Sequence, residues 1–205
     1  MSDTTWCGGA DHEPFQHGPL RRRARWWEER YPFREPADMI VPVTITLTDD
    51  EIDRAERRAN MIMKADVSRG WTMYFQPGGG ETRLDVNIRG CGAELAASRA
   101  TGLKIDWSYL PATYRRRDKR PDMGKRTEVR NARKSPGLLW ASETDPVSRV
   151  FLLVTGMMPT FQVHGWLEGT DLMEPLNWRD KPRVRYPGYF ADSIDLNCLP
   201  LPPDA

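Results

Sequence analysis

The stretch RVFLLVTG, residues 149–156, decides the fold. Its apolar residues follow one another without a polar break, which is typical of a central strand buried on both faces of a sheet. The next segment, TFQVHGWLEG at residues 160–169, alternates between apolar and polar residues and predicts a further strand. Together the two segments predict that a β-sheet forms the core of the protein.

An earlier segment, RTEVRNA at residues 126–132, alternates in the same way. Because successive side chains of a strand point to opposite faces, Thr127 and Val129 are expected on one face and Glu128 and Arg130 on the other. Val129 then points into the core, while an acid and a cation are held side by side on a rigid element.

The first elements of the chain are the strand VPVTITL, residues 41–47, and a helix over residues 49–64. The strand alternates, and its Pro42 suits a sheet edge or a strand start. Thr48 follows directly, and Glu51 stands three residues later, which is the pattern of a capping box. Apolar residues then recur at helical spacing, so these signals predict the helix.

A second helix is predicted over residues 87–99, with Thr101 and Gly102 ending it. Gly90 and Gly92 each weaken such a helix by about 1 kcal/mol relative to Ala, which is tolerated where something packs closely against the backbone. Three further segments are predicted as strands or as the entry to the helix: WTMYFQ (71–76), TRLDVNI (82–88) and LKIDWSYL (103–110).

These elements predict an α/β domain over residues 39–190, with an arm before it and a tail after it. The arm, residues 1–38, shows no clear hydrophobic period. The last 35 residues, including the tail at residues 191–205, are rich in Pro, Trp and Tyr and are expected to be irregular.

Composition narrows the class of protein. The 205 residues are 39% hydrophobic and 29% charged, which fits a soluble globular protein. Since no apolar run approaches the roughly 20 residues of a membrane helix, no membrane partner is expected. The start of the chain lacks the basic and apolar regions of a signal peptide, so we expect a cytoplasmic protein.

Charge is concentrated in one stretch of the chain. Residues 112–134 carry ten cations and three anions, a charge near +7, whereas the whole chain has a net charge of +1. A basic stretch inside a nearly neutral protein indicates a site for a polyanion such as nucleic acid. The cations assigned to this site are Arg115, Arg116, Arg117, Lys119, Arg120, Lys125 and Arg126.

Two acids stand inside this basic stretch, in PDMGKRTEVR at residues 121–130. Asp122 and Glu128 either pair with their basic neighbours or bind a metal ion. A short bend between them lets both carboxylates reach one point, and oxygen ligands with retained waters are what Mg²⁺ prefers. Such an ion polarises a phosphate oxygen and lowers the pKa of a bound water.

This pattern of Pro-Asp, five residues and Glu-Val-Arg resembles the motif of the PD-(D/E)XK nucleases. Glu94, in GCGAELAASR, resembles the acid that this family often carries on its first core helix. RVFLLVTG, TFQVHGWLEG and PGYF are similar to uncharacterised tailed-phage proteins of this kind. The resemblance covers about residues 84–190 and implies a restriction-endonuclease-like mixed sheet flanked by helices.

The resemblance implies a phage-encoded nuclease that hydrolyses DNA with Mg²⁺ or Mn²⁺ in the cytoplasm of a bacterial host. Asp122, Glu128 and Glu94 are then metal ligands, together with the carbonyl oxygen of Val129. The family usually has Lys where this chain has Arg130; Arg is always protonated, so it orients water or phosphate but does not easily act as a general base. Duplex, single-stranded and branched DNA all remain candidate substrates, and pairs of active sites in this fold allow a homodimer.

Other interpretations of the same residues stay open. Glu94 can equally be an exposed helix acid paired with Arg89 or Arg99. Gln162 and His164 share a strand face that can border the site, although a lone His is more often structural. The chain can also be a catalytically silent nucleic-acid-binding protein, or a structural protein whose basic stretch forms a subunit interface.

Overall fold

The computed structural model describes residues 41–68, 80–107, 120–180 and 187–205. The predicted arm, the predicted strand WTMYFQ and most of the basic stretch lie outside these residues. Within the described segments, no helix is both long enough and apolar enough to cross a membrane.

The described chain is α/β, with seven strands and three α-helices in the described segments. The strands are β1 (Val43–Thr46), β2 (Thr127–Ala132), β3 (Leu138–Ala141), β4 (Val150–Met157), β5 (Thr160–Glu168), β6 (Trp178–Arg179) and β7 (Gly188–Asp192). The helices are α1 (Asp49–Val67), α2 (Arg83–Thr101) and α3 (Gly169–Leu172), with 3₁₀ turns at Pro175–Asn177 and Ser193–Asp195.

The first sheet is mixed and has the strand order β1-β5-β4-β2. β4 pairs in parallel with β2 and antiparallel with β5, and β5 pairs antiparallel with β1. Residues 150–154 are completely buried, which confirms the central strand that RVFLLVTG predicted. β1 and β2 are the two end strands, so the strand that carries Glu128 lies at the edge of the sheet.

The second sheet is antiparallel, has the order β3-β7-β6, and was not predicted from the sequence. Two of its strands lie in the C-terminal segment that was expected to be irregular. All three are short, from two to five residues, so none presents enough alternating positions to be recognised as a strand.

Helix α1 confirms the prediction from the capping box. The Thr48 side chain accepts a hydrogen bond from the Glu51 N–H, and the Glu51 carboxylate accepts one from the Thr48 N–H at 2.8 Å. The helix continues three residues beyond the predicted end at residue 64, to Val67.

Helix α2 begins at Arg83, four residues before the predicted start, so TRLDVNI forms the helix entry and not a strand. A second capping box explains this start, because Thr82 and Asp85 exchange the same pair of hydrogen bonds. Gly102 caps the C-terminus with a positive φ of 75°, as its sequence position predicted.

The predicted strand LKIDWSYL is wrong in its described part. Residues 103–107 form no strand and contribute one isolated bridge, between Ile105 and Met123. Residues 108–110 lie outside the described segments. The chain here runs beside the turn that carries Asp122, and this position matters for the site.

Apolar side chains pack on both faces of the first sheet, which gives the described domain three layers. On one face, α2 packs against residues such as Leu152, Val154 and Phe161, and α1 packs on α2. On the other face, the second sheet covers residues such as Phe151 and Leu153. Val129 packs toward the helices, whereas Ala132, an even-numbered residue of β2 like Glu128 and Arg130, packs toward the second sheet.

Candidate metal centre at the edge of the first sheet

A turn at the edge of β2 carries Asp122. Thr127 exchanges both backbone hydrogen bonds with Met123, at 3.1 and 3.2 Å, so the chain folds back along the free edge of β2. Two residues further along that edge, the Val129 N–H donates to Asp122 Oδ2 at 2.8 Å. The N–H and C=O of one strand residue point the same way, so the Val129 carbonyl also faces this edge.

Neighbouring segments hold the turn in place. The Gly124 N–H donates to the Lys104 carbonyl at 3.0 Å, and the Asp106 N–H donates to the Asp122 carbonyl at 3.1 Å. Gly124 has a φ of +56°, and a Cβ there would lie 2.5 Å from the Ala205 carbonyl oxygen. Only glycine fits this position without strain, so the backbone of Asp122 is fixed from outside the sheet.

Arg126 fastens the same turn to two other segments. Its guanidinium binds both carboxylate oxygens of Glu168, at 2.5 and 3.0 Å, and Asp204 Oδ1 at 2.7 Å. The sequence assigned Arg126 to the nucleic-acid-binding cations. The structure gives it ion-pair partners within the protein, so its charge is already balanced.

Glu128 lies on the face of β2 toward the second sheet and is only 6% exposed. Arg130 Nη1 lies 3.3 Å from Glu128 Oε2, and Arg149 Nε lies 3.6 Å from Glu128 Oε1. Both carboxylate oxygens therefore have an arginine beside them. The sequence left two alternatives for this acid, ion pairing and metal binding, and the structure shows that Glu128 is ion-paired.

Arg130 is held by several groups at once. Its Nε donates to the Trp140 carbonyl at 3.1 Å, and its Nη2 donates to Asp145 Oδ2 at 3.0 Å. The rings of Trp140 and Phe151 lie 5.9 and 5.2 Å from its guanidinium carbon, within the range of cation–π interaction. Arg130 is therefore a connection between the two sheets as well as a neighbour of Glu128.

Glu94 approaches the same edge from α2, on the helix side of the sheet. Its Oε2 accepts a hydrogen bond from Trp107 Nε1 at 2.5 Å. The alternative pairing with Arg89 or Arg99 is wrong: Arg89 binds Asn131 and Glu81, and Arg99 binds Glu51 and the Thr46 carbonyl. Its electrostatic neighbours are Asp122, Arg58 and Glu128.

The three acids influence one another electrostatically. Burial and the charge of Asp122 raise the pKa of Glu94 to about 8. Burial and Asp122 also raise the pKa of Glu128 to about 7, although Arg130 and Arg149 oppose the increase. Burial raises the pKa of Asp122 as well. The ionisation of carboxyl groups from three separate segments is therefore linked.

The charges of the three acids and of their charged neighbours nearly balance. Fully ionised, four carboxylates and three guanidinium groups leave one net negative charge. These groups are Glu94, Asp122, Glu128 and Asp145 on one side and Arg58, Arg130 and Arg149 on the other. One proton neutralises the cluster, whereas a divalent cation changes its charge to +1 and makes it attractive to a phosphate.

The donor set fits Mg²⁺ or Mn²⁺ in its chemistry, since every candidate ligand is an oxygen. No group of three His, Cys, Asp or Glu side chains in the described segments is arranged to hold a metal ion. Mg²⁺ often uses only one or two carboxylates and keeps several waters. The donors that fit are therefore Asp122, Glu128 and the Val129 carbonyl.

The other residues assigned to the site have different surroundings. Gln162 and His164 lie in β5, which β4 separates from β2. His164 is buried, its Nε2 lies 2.7 Å from Thr155 Oγ1, and burial alone lowers its pKa. Lys125 is exposed, and Arg120 lies 3.8 Å from Asp106 on the surface. The cations outside the described segments are Arg115, Arg116, Arg117 and Lys119.

Three residues of the site were missed from the sequence: Trp107, Asp145 and Arg149. The pairing of β2 with β4 sets Thr127 opposite Val150, and this brings Arg149 beside Glu128. RVFLLVTG begins with this arginine, so a basic residue at the start of a buried strand was the available signal. Asp145 and Trp107 carry no local signal, because their roles depend on contacts between distant segments.

Comparison with known proteins adds no family to this description. No protein-family model matches the chain, and no match is found among the curated proteins or the solved structures.

Proposed function

We propose that the protein is a metal-dependent nuclease of the PD-(D/E)XK type that hydrolyses phosphodiester bonds in DNA, with a restriction-endonuclease-like arrangement of its first sheet. One observation carries the proposal. Of the acids that the motif selected from sequence, Asp122 is bound at the free edge of β2, and its charge acts on Glu128 of that strand and on Glu94 of the neighbouring helix.

Each of these groups has a distinct part in the proposed reaction. Asp122 and Glu128 would hold Mg²⁺ or Mn²⁺ with the Val129 carbonyl, and Glu94 would hold a proton or a water at the rear of the site. The bound ion would supply Lewis-acid chemistry, which activates water and stabilises the leaving oxygen. A cluster charge of +1 with the ion present would attract the DNA backbone.

The cations near the site have different roles in the proposed function. Arg130 is occupied by Trp140, Asp145 and Glu128, so it supports the Glu128 carboxylate. Arg149 lies on the opposite oxygen of Glu128 and close to the turn of Asp122. The exposed Lys125 and Arg120, with the cations of residues 115–119, would bind the phosphates of the substrate.

The first prediction is that Asp122→Asn and Glu128→Gln each remove metal-dependent cleavage of DNA. Both changes preserve shape and remove a ligand charge, and a loss of several kcal/mol of metal-derived stabilisation corresponds to at least about 100-fold in rate. Nicking of supercoiled plasmid and degradation of single-stranded and branched DNA should be measured with Mg²⁺, with Mn²⁺ and with chelator.

The matched control is Asp53→Asn, which changes an exposed acid on α1 and should leave cleavage unchanged. Metal-dependent cleavage that persists in Asp122→Asn and Glu128→Gln would contradict the assignment of the site. Intact DNA in every reaction of the wild-type protein would contradict the nuclease proposal itself.

The second candidate function is a catalytically silent nucleic-acid-binding protein of the same fold. The specific observation in its favour is Arg130, because each of its three nitrogens has a partner within the protein. This candidate requires DNA binding without metal, with an affinity that falls steeply as salt rises. Binding that is absent even at low salt would exclude both functions and favour a structural role.

A further inference from the structure

We propose that Asp145 is a positioning residue for Glu128 and acts through Arg130, so that the second sheet fixes an acid of the first. The inference rests on the proposed function for its consequence in catalysis. The geometry on which it depends is a chain of contacts from Asp145 to Arg130 and on to Glu128.

Asp145 is itself well fixed. It lies in the turn that follows β3 and is 9% exposed. Its Oδ2 accepts the Ser142 N–H at 2.8 Å, and its own N–H donates to the Ser142 carbonyl at 3.0 Å. The turn thus closes on itself without help from Arg130, and it presents a carboxylate of fixed position to the guanidinium.

Arg130 links the position of the Asp145 carboxylate to that of Glu128. The guanidinium is planar, and its nitrogens point in fixed directions. Nε binds the Trp140 carbonyl and Nη2 binds Asp145, and these two bonds fix the plane of the guanidinium. The position of Nη1 is then fixed as well, 3.3 Å from Glu128 Oε2. Trp140 and Asp145 belong to β3 and to the turn after it, so both anchors come from the second sheet.

The two oxygens of Glu128 are therefore held by different parts of the molecule. Arg149, at the start of β4, lies beside Oε1 and belongs to the first sheet. Oε2 depends on the second sheet through Arg130. A lysine at residue 130 offers a single ammonium group and does not span Trp140, Asp145 and Glu128 together. This requirement gives a physical reason for Arg where the family usually has Lys.

The test uses Asp145→Asn, with Asp192→Asn as the matched control. Asp192 also pairs with an arginine of the second sheet, Arg179, but that pair joins β6 to β7, whereas the anchors of Arg130 lie on β3 and in the turn after it. Mn²⁺ binding should be measured by calorimetric titration and by the Mn²⁺ resonance signal, and unfolding should be followed in chelator to confirm that each variant is folded.

We expect Asp145→Asn to weaken Mn²⁺ binding about tenfold, which is the lower range for loss of a residue that orients a metal ligand. The kcat for DNA should fall with KM unchanged. Arg130→Lys should show a similar loss, and the double variant should lose no more than either single variant, because the two residues act in series. Losses that add, or unchanged Mn²⁺ binding in a folded Asp145→Asn, would overturn the inference.

A second measurement separates this inference from the nuclease proposal. In metal-free protein labelled with ¹³C at the glutamate carboxyl groups, the Glu128 signal should move in Asp145→Asn and stay in place in Asp192→Asn. If the wild-type protein binds no Mn²⁺ but the signal moves, the nuclease proposal fails and the positioning role stands. If the signal does not move, the positioning role fails whatever the metal result.

Discussion

The two faces of the first sheet are packed by different means. The helix face is covered by α2, on which α1 packs, and the small residues of these two helices include Ala55, Ala59, Cys91, Gly92, Ala93, Ala96 and Ala97. The opposite face is covered by large residues such as Phe151, Leu153, Leu167 and Leu172, and it contains the buried ion pair of Arg130 with Asp145. One face depends on close approach of backbones, and the other depends on side-chain volume and on a satisfied charge.

This difference also separates the parts of the candidate site. Glu94 comes from the helix face, where Trp107 and Arg58 are its neighbours. Glu128 comes from the opposite face, where Arg130 and Arg149 are its neighbours. Asp122 lies at the free edge of the end strand β2, and its charge acts on both of these acids.

The largest effect on stability is expected for Phe151→Ala. This side chain is completely buried on the face of the second sheet, and its ring lies against the Arg130 guanidinium. Its removal should lower the free energy of unfolding by about 3–5 kcal/mol, because a cavity forms beside a buried charge. The measurement is denaturant unfolding in chelator.

Leu152→Ala is the matched change on the helix face, at the next residue of the same strand, where Leu152 is also completely buried. It removes a smaller side chain and disturbs no ion pair, so its cost should be lower than that of Phe151→Ala. An equal or greater cost for Leu152→Ala would show that the two faces do not differ in the way the packing indicates.

The next largest effect is expected on the pH dependence of stability, through Glu94 on the helix face. The pKa of Glu94 is raised to about 8 in the folded protein, far above its ordinary value. The folded state therefore retains a proton that the unfolded state loses, and stability falls as pH rises from about 5 to 8. In Glu94→Gln this proton is no longer exchanged, so the decline should be less steep by up to about 1.4 kcal/mol per pH unit.

Unfolding of the metal-free wild type and of Glu94→Gln should be compared at pH 5, 6, 7 and 8. Glu56→Gln, an exposed acid on α1, is the control and should follow the wild type. A wild-type protein whose stability rises over this range would show that the acids are not held in their protonated form. Glu128, whose pKa is raised to about 7, should retain part of the decline in Glu94→Gln.

The sequence predicted the first sheet and both long helices because their signals are local. An unbroken apolar run, alternation in β1, β2 and β5, and the capping box of α1 each act within a few residues. The second sheet escaped prediction because its strands are short and derive their stability from packing on β4 and β5. The segment LKIDWSYL has the composition of a strand, yet residues 103–107 are used to hold the turn of Asp122.

The residues of the candidate site also fall into those with a signal in the sequence and those without one. Asp122, Glu128 and Glu94 were assigned to the candidate site from their resemblance to the residues of a known motif. Their surroundings were not, since Arg149 reaches Glu128 through strand pairing and Asp145 reaches Arg130 from the second sheet. Contact information was also missing for Arg126, which was assigned to the nucleic acid and which pairs in the structure with Glu168 and Asp204.

The smallest effects are expected for two glycines of α2, which test close approach on the helix face. A Cβ at Gly92 would lie 2.7 Å from Met158 Cε and 2.8 Å from Phe161 Cζ, whereas a Cβ at Gly90 would meet nothing within 4 Å. Gly90→Ala should therefore stabilise the protein by about 1 kcal/mol through helix propensity. Gly92→Ala should destabilise it by about 1 kcal/mol, because overpacking exceeds the same gain in propensity. The measurement is thermal unfolding of the two variants. If both are stabilised, Met158 and Phe161 move aside freely, and close packing on the helix face does not exclude a methyl group at residue 92.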